Sequence, residues 1–117
     1  MANKKQEGAI CAVDYSFKRI GGKYKGRILW YLHNHKILRY GELRKALPDI
    51  TPKMLTQTLR ELEEAQLVYR EVYHEVPPKV EYSLTSIGTE LIPFIQYLEK
   101  WGTKQMEKEN IKMKIEC

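Results

Sequence analysis

Apolar positions at the start of the chain recur at spacings of three and four. Ile10, Val13, Phe17 and Ile20 fall on one helical face, and Gly21-Gly22 ends the run. A second helix is expected from about Lys23 to Asn34, with Ile28, Leu29 and Leu32 inward and Trp30 and Tyr31 filling toward neighbouring elements. Leu38-Arg39-Tyr40 has room for a single strand rung, and Gly41 to Leu47 reads as two helical turns stopped by Pro48. In Pro48-Asp49-Ile50-Thr51-Pro52 a terminator and a turn residue precede a capping threonine and a proline suited to the first helical position. A helix, a tight turn and another helix result.

The next helix is expected over Pro52 to Gln66, and its residues separate cleanly when placed about 100° apart around the axis. Leu55, Leu59 and Leu62 gather on one side, while Lys53, Thr56, Gln57, Arg60 and Glu64 gather on the other. Two alternating segments, Val68 to Tyr73 and Val80 to Leu84, predict a hairpin whose connection, His74 to Lys79, is stiffened by Pro77-Pro78. Thr85 is placed to cap a last helix from Ser86 to Glu109, kinked at Pro93, with Ile87, Leu91, Ile95, Leu98 and Trp101 along one side. That apolar side is longer than a small core can cover. The expected division is a flexible basic arm over 1–9, one domain over 10–109 and a tail over 110–117 whose alternating residues favour no single structure.

Composition narrows the function. A chain of 117 residues has room for one core, and its mean hydropathy of -0.53 leaves no apolar run long enough to span a bilayer. The polar N-terminus lacks the pattern of a secretory signal, so a cytoplasmic protein is expected. Two cysteines near opposite ends, Cys11 and Cys117, suit neither a disulfide framework nor a zinc site. A formal charge of +5 points to a polyanionic partner.

The helix from Pro52 makes that partner specific. Major-groove base edges are read by side chains near the N-terminal end of the second helix of such a pair. Lys53 and Arg60 suit phosphate or guanine, Gln57 suits adenine, and Thr56 suits a base edge or a thymine methyl, with Thr51 and Pro52 leading the helix. Its charge order runs against its own dipole, with Lys53 at the start and Glu61, Glu63 and Glu64 near the end, as expected if a polyanion approaches the N-terminal end. On the hairpin, Lys79 and His74 flank a tip that can lie against the sugar-phosphate backbone.

Four runs carry a further signal: Ile20 to Tyr24, Arg39 to Leu43, Ile50 to Leu62 and Val76 to Thr85. With them the chain resembles the HxlR family of bacterial winged helix-turn-helix regulators, also labelled DUF24, from Cys11 through Trp101. The resemblance implies an α+β winged helix-turn-helix fold in which the helix beginning at Thr51 reads DNA and the hairpin is the wing. It also implies a homodimer formed by the N-terminal and long C-terminal helices, so Val13, Phe17, Ile95, Leu98 and Trp101 are the expected interface. Several members of the family sense oxidants or electrophiles through a cysteine at the position of Cys11, the candidate thiol sensor here. The chain departs from the family pattern at Ala12, where proline is common, and at Tyr24, where tryptophan is common.

The expected function is therefore a sequence-specific transcriptional regulator that binds double-stranded DNA as a homodimer on an inverted repeat. It needs no cofactor, metal or membrane, and the residues name no effector. The competing reading is a winged helix that docks protein or RNA, for which Tyr69, Tyr73 and Tyr82 on the hairpin would be the stacking surface. An enzyme is not expected: His33 and His35 lack a third ligand, and no phosphate loop, nucleophile elbow or paired-carboxylate motif is present.

Overall fold

The computed structural model describes residues 11–115; the expected arm, Ile10, Glu116 and Cys117 lie outside them. The elements run α1 (Ala12–Ile20), α2 (Lys25–His35), β1 (Leu38–Arg39), α3 (Tyr40–Ala46), α4 (Pro52–Glu64), β2 (Val68–Tyr73), β3 (Lys79–Leu84), α5 (Ser86–Glu90) and α6 (Ile92–Lys108). This is the α+β winged helix-turn-helix architecture expected from the sequence.

The core forms where the predicted apolar faces meet. Ile28, Leu29 and Leu32 of α2 pack with Leu43, with Leu55, Leu59 and Leu62 of α4, and with Ile92 and Ile95 of α6. The sheet, in the order β1-β3-β2, is antiparallel throughout. Its register pairs Tyr82 of β3 with both Leu38 and Arg70, placing the three side chains on one face. That face carries the buried residues Leu38, Val68 and Tyr82, so it is the one turned toward the core.

Helix boundaries depart from the expected ones where non-local contacts intervene. Helix α2 starts two residues later than expected, with Tyr24 as its N-cap. Helix α4 ends at Glu64 rather than Gln66, because Gln66 turns to a positive φ of 63° and the Leu67 amide donates back to the Leu62 carbonyl at 3.0 Å. This is a Schellman closure made without glycine, hence its absence from the pattern. The long final helix is not a single kinked rod. It breaks at Leu91, and Pro93 falls in the first turn of α6, where its missing N–H leaves no carbonyl unsatisfied.

The end of α4 is also the anchor for α5. Thr85 caps α5 by accepting from the Gly88 amide at 3.0 Å, and its hydroxyl donates to the Gln66 carbonyl at 2.7 Å. A Cβ on Gly88 would stand 2.1 Å from the Leu67 carbonyl oxygen, so only glycine permits this approach.

Candidate nucleic-acid interface

The helix-turn-helix is assembled by contacts at both ends of its turn. Thr51 caps α4, its hydroxyl accepting from the Met54 amide at 3.1 Å, and Pro52 opens the first turn. The Tyr40 hydroxyl at the start of α3 donates to the Pro52 carbonyl at 3.3 Å and lies 3.2 Å from Thr56 Oγ1. The first turns of α3 and α4 are thereby pinned together. Between them, Ile50 is buried, and Asp49 accepts from Arg27 of α2. The Arg27 guanidinium holds the Asp49 carboxyl below its ordinary range.

The outward face of α4 presents Lys53, Gln57 and Arg60 as exposed side chains, with Thr56 half-buried against Tyr40. Lys53 forms no ion pair among the described residues. Gln57 does not stand free: its Nε2 donates to Glu61 Oε2 at 2.9 Å, and Lys25 Nζ of α2 lies 3.3 Å from Glu61 Oε1. The Gln57 amide and the Lys25 ammonium together hold the Glu61 carboxyl below its ordinary range. A carboxylate only accepts, so it turns the Gln57 nitrogen toward itself and leaves the amide oxygen and one N–H for a base edge.

These contacts correct part of the charge-order argument. Glu61 near the end of α4 has an intramolecular partner in Lys25, and Arg19 of α1 donates to the Ala65 carbonyl, placing a cation at the C-terminus of the helix. The dipole is answered within the protein there. Lys53 at the start and Glu63 and Glu64 near the end remain exposed with no ion pair among the described residues.

The wing spreads its expected contacts differently from the sequence reading. Lys79 pairs with Tyr73 in the last rung before the tip, yet it is half-buried rather than free, 3.7 Å from Glu81 Oε2 and 4.5 Å from the Tyr73 ring centroid. His74 is exposed, and the tip beyond it is apolar, with Val76 98% exposed ahead of a cis Val76–Pro77 bond. Of the three hairpin tyrosines, Tyr69 and Tyr73 are exposed on one face and Tyr82 lies on the other. Tyr82 is buried in the core, while Tyr69 donates to Glu71 at 2.6 Å, and that carboxylate pushes the Tyr69 phenol up.

Two functional candidates were missed by pattern alone. Arg70 of β2 lines a cleft with Arg60 and Thr56; it is exposed, and its signal was its place in the same alternating row as Val68 and Val72. Arg27 was missed because its partner Asp49 is 22 residues away.

The remaining candidates sit away from this face. Val13, Phe17, Leu98 and Trp101 are exposed on α1 and α6; Val13, Phe17 and Leu98 line grooves beside the place where Phe17 meets Phe94 edge to face at 6.0 Å. Ile95 differs: it is 8% exposed and belongs to the core, because α6 turns it toward α2. Cys11 is exposed and caps α1, its Sγ accepting from the Asp14 amide at 3.4 Å. Among the described residues no three metal-ligating side chains gather, and no helix is long and apolar enough to cross a membrane.

Comparison with known proteins agrees with this geometry. The model of the HxlR-like helix-turn-helix family matches residues 19–110. The chain is 48% identical over 99 residues to the HTH-type transcriptional regulator YkvN of Bacillus subtilis (strain 168), covering 85% of this chain and 83% of the relative. Among solved structures, the redox regulator HypR in its reduced form superposes with a TM-score of 0.80 at 42% identity, covering 86% of this chain and 98% of HypR. The reduced transcriptional regulator YodB from B. subtilis superposes with a TM-score of 0.70 at 34% identity, covering 80% of this chain and 91% of YodB.

Proposed function

Since the chain belongs to the HxlR-like helix-turn-helix family and is a transcriptional regulator with a helix-turn-helix DNA-binding fold, we propose that it acts as a cytoplasmic homodimer on an inverted-repeat operator. The observation that carries this reading is the exposed row Lys53, Gln57 and Arg60 on a helix whose first turn is pinned by Tyr40 beside a protruding wing. Lys53 and Thr51 approach the groove edge, Gln57 reads a base, and His74 and Lys79 follow the backbone at the wing. Two such helices related by a two-fold axis reach successive major grooves, so half-sites fall about 10 to 10.5 bp apart or a multiple of that.

The proposed dimer uses α1 and α6. Val13, Phe17, Leu98 and Trp101 expose apolar surface that the other described residues leave uncovered, and burying it on a second copy supplies the driving force. Ile95 supports that surface from beneath. In the proposed division, 10–109 is the DNA-binding and dimerisation unit, 1–9 a basic arm and 110–117 a tail.

Within this reading Cys11 makes the regulator thiol-responsive. Its exposed Sγ sits at a helix N-terminus, and the similar proteins HypR and YodB are known in oxidised or diamide-treated forms. An electrophilic alkene adds to the sulfur, forming one C–S bond while the thiol proton passes to carbon. Placed beside α1, the adduct alters the dimer seam.

Selection of bound duplexes from a random library, followed by affinity against salt, tests the central proposal. An enriched inverted repeat supports it, and binding that enriches no sequence and survives only at low salt overturns it. For the thiol, Cys11→Ser must abolish the effect of an electrophile on operator binding while Cys117→Ser retains it. An unchanged response in Cys11→Ser sinks that part.

A further inference from the structure

Arg60 and Arg70 reach one cleft from different elements. With Thr56, Leu59, Glu63 and Tyr82 they line a concavity of about 330 Å3 between the recognition helix and the root of the wing. The register explains how Arg70 gets there. Val68, Arg70 and Val72 alternate onto one face of β2, and Arg70 stands opposite Tyr82, which is buried on that face. Arg70 is itself exposed, so its charge stays within reach of water and of a ligand entering the cleft.

Nothing among the described residues bridges to that charge. Among the described residues neither guanidinium has a hydrogen-bond or ion-pair partner, although Arg19 and Arg27 are both engaged. Glu63 lines the same cleft without bridging to either arginine, and the Thr56 hydroxyl is taken up with Tyr40. Two cations and one anion leave the cleft net positive. Like charges sharing a concavity are stabilised when an anion sits between them, and a planar guanidinium fork matches the oxygens of a phosphate.

We propose that Arg60 and Arg70 form a clamp for a phosphate oxyanion. Resting on the DNA-binding reading, the phosphate is a diester of the duplex backbone at the edge of the groove that α4 enters. Its two non-bridging oxygens take one guanidinium each. Arg60 then positions the recognition helix, and Gln57 and Lys53 are left to discriminate bases. A free phosphate monoester on a small molecule offers the same chemistry, and the test separates the two sources.

The test uses the full chain with Arg60→Ala, Arg70→Ala and Arg70→Lys. The probes are an enriched duplex carrying one methylphosphonate at a time in place of a backbone phosphate, and inorganic phosphate. For the diester, each alanine variant weakens duplex binding about tenfold or more and lowers the salt slope by about one. Both variants also lose sensitivity to the same single methylphosphonate that weakens the wild type. Arg70→Lys keeps the slope but recovers only part of the affinity, because an ammonium lacks the fork.

If duplex binding is unchanged while inorganic phosphate raises the wild-type Tm and neither alanine variant's, the clamp stands with a monoester as its ligand. The clamp is overturned if the alanine variants match the wild type toward both probes. It is equally overturned if Arg60→Ala alters preference at one base pair while every methylphosphonate acts as in the wild type. Should the wild type enrich no duplex, the operator reading falls and the phosphate arm alone decides: a Tm rise lost in both variants supports the clamp, and no rise overturns it.

Discussion

Arg27 grips both carboxylate oxygens of Asp49, its Nη2 lying 2.7 and 2.8 Å from them. The pair joins α2 to the turn of the helix-turn-helix, and Asp49 is followed by the buried Ile50, so the position of the turn is set by charge and packing together. The contact holds the Asp49 carboxyl below its ordinary value of 3.8.

A pH dependence follows from the sign of that shift. The folded state binds the Asp49 proton less readily than the unfolded chain, so the stability it contributes is present above the unfolded value and lost as pH falls through the lower folded one. Asp49→Asn is expected to be less stable than the wild type near neutral pH, with the difference closing below about pH 4. Urea unfolding at a series of pH values measures it, and a difference that does not change with pH would contradict the assignment.

Gly88→Ala is expected to destabilise the fold by roughly 2 kcal/mol, because the added methyl meets a backbone oxygen that has no rotamer to yield. Denaturant titration reads the loss. Gly26→Ala is the control, since nothing stands within 4 Å of the Cβ it would add.

Thr51 separates fold from function. Thr51→Ala removes the cap of α4 and should cost about 1 kcal/mol of stability. Thr51→Asp keeps a capping oxygen and suits the helix dipole, yet it sets a negative charge where the phosphate backbone is expected. Stability held with duplex affinity lost is the expected outcome, read by thermal melting and by binding titration.

The link from Lys25 through Glu61 to Gln57 bears on base discrimination. Glu61→Ala removes the acceptor that orders the Gln57 amide, and it removes a negative charge from the groove-facing helix. Overall duplex affinity should rise while discrimination at the base pair read by Gln57 falls. Binding measured on all four variants of that pair checks both changes at once.

Trp101→Glu places a carboxylate on the exposed apolar side of α6 at a residue 53% exposed in the single chain. The monomer should fold with little change, and the dimer should dissociate. Sedimentation equilibrium distinguishes this from simple unfolding when paired with circular dichroism.

Much of the fold was legible because its signals are local. The leucine row on α4, the Thr51-Pro52 start and the strand alternation each depend on neighbours within a turn or two along the chain. The failures are equally physical. Gln66 closes α4 without glycine, and Leu91 rather than Pro93 marks the break before α6, because the tie from Thr85 to the Gln66 carbonyl and the seating of Gly88 against Leu67 fix both turns from a distance. Ile95 lies on the same helical side as Leu98, yet α6 crosses α2 closely enough to bury only the first of them.

By itself, the sequence determined the order and type of the elements, the helix that faces outward with Lys53, Gln57 and Arg60, and the family. Each of those rests on periodicity, capping chemistry or residue runs that no packing can rearrange. Only the tertiary structure decided which charges are answered. Lys25 meets Glu61, Arg27 meets Asp49, and Arg70 shares a cleft with Arg60 and forms no ion pair among the described residues, since such pairings depend on where helices cross and on strand register. Coulomb attraction falls with distance through space, and residues far apart in the chain become neighbours only when the core has closed.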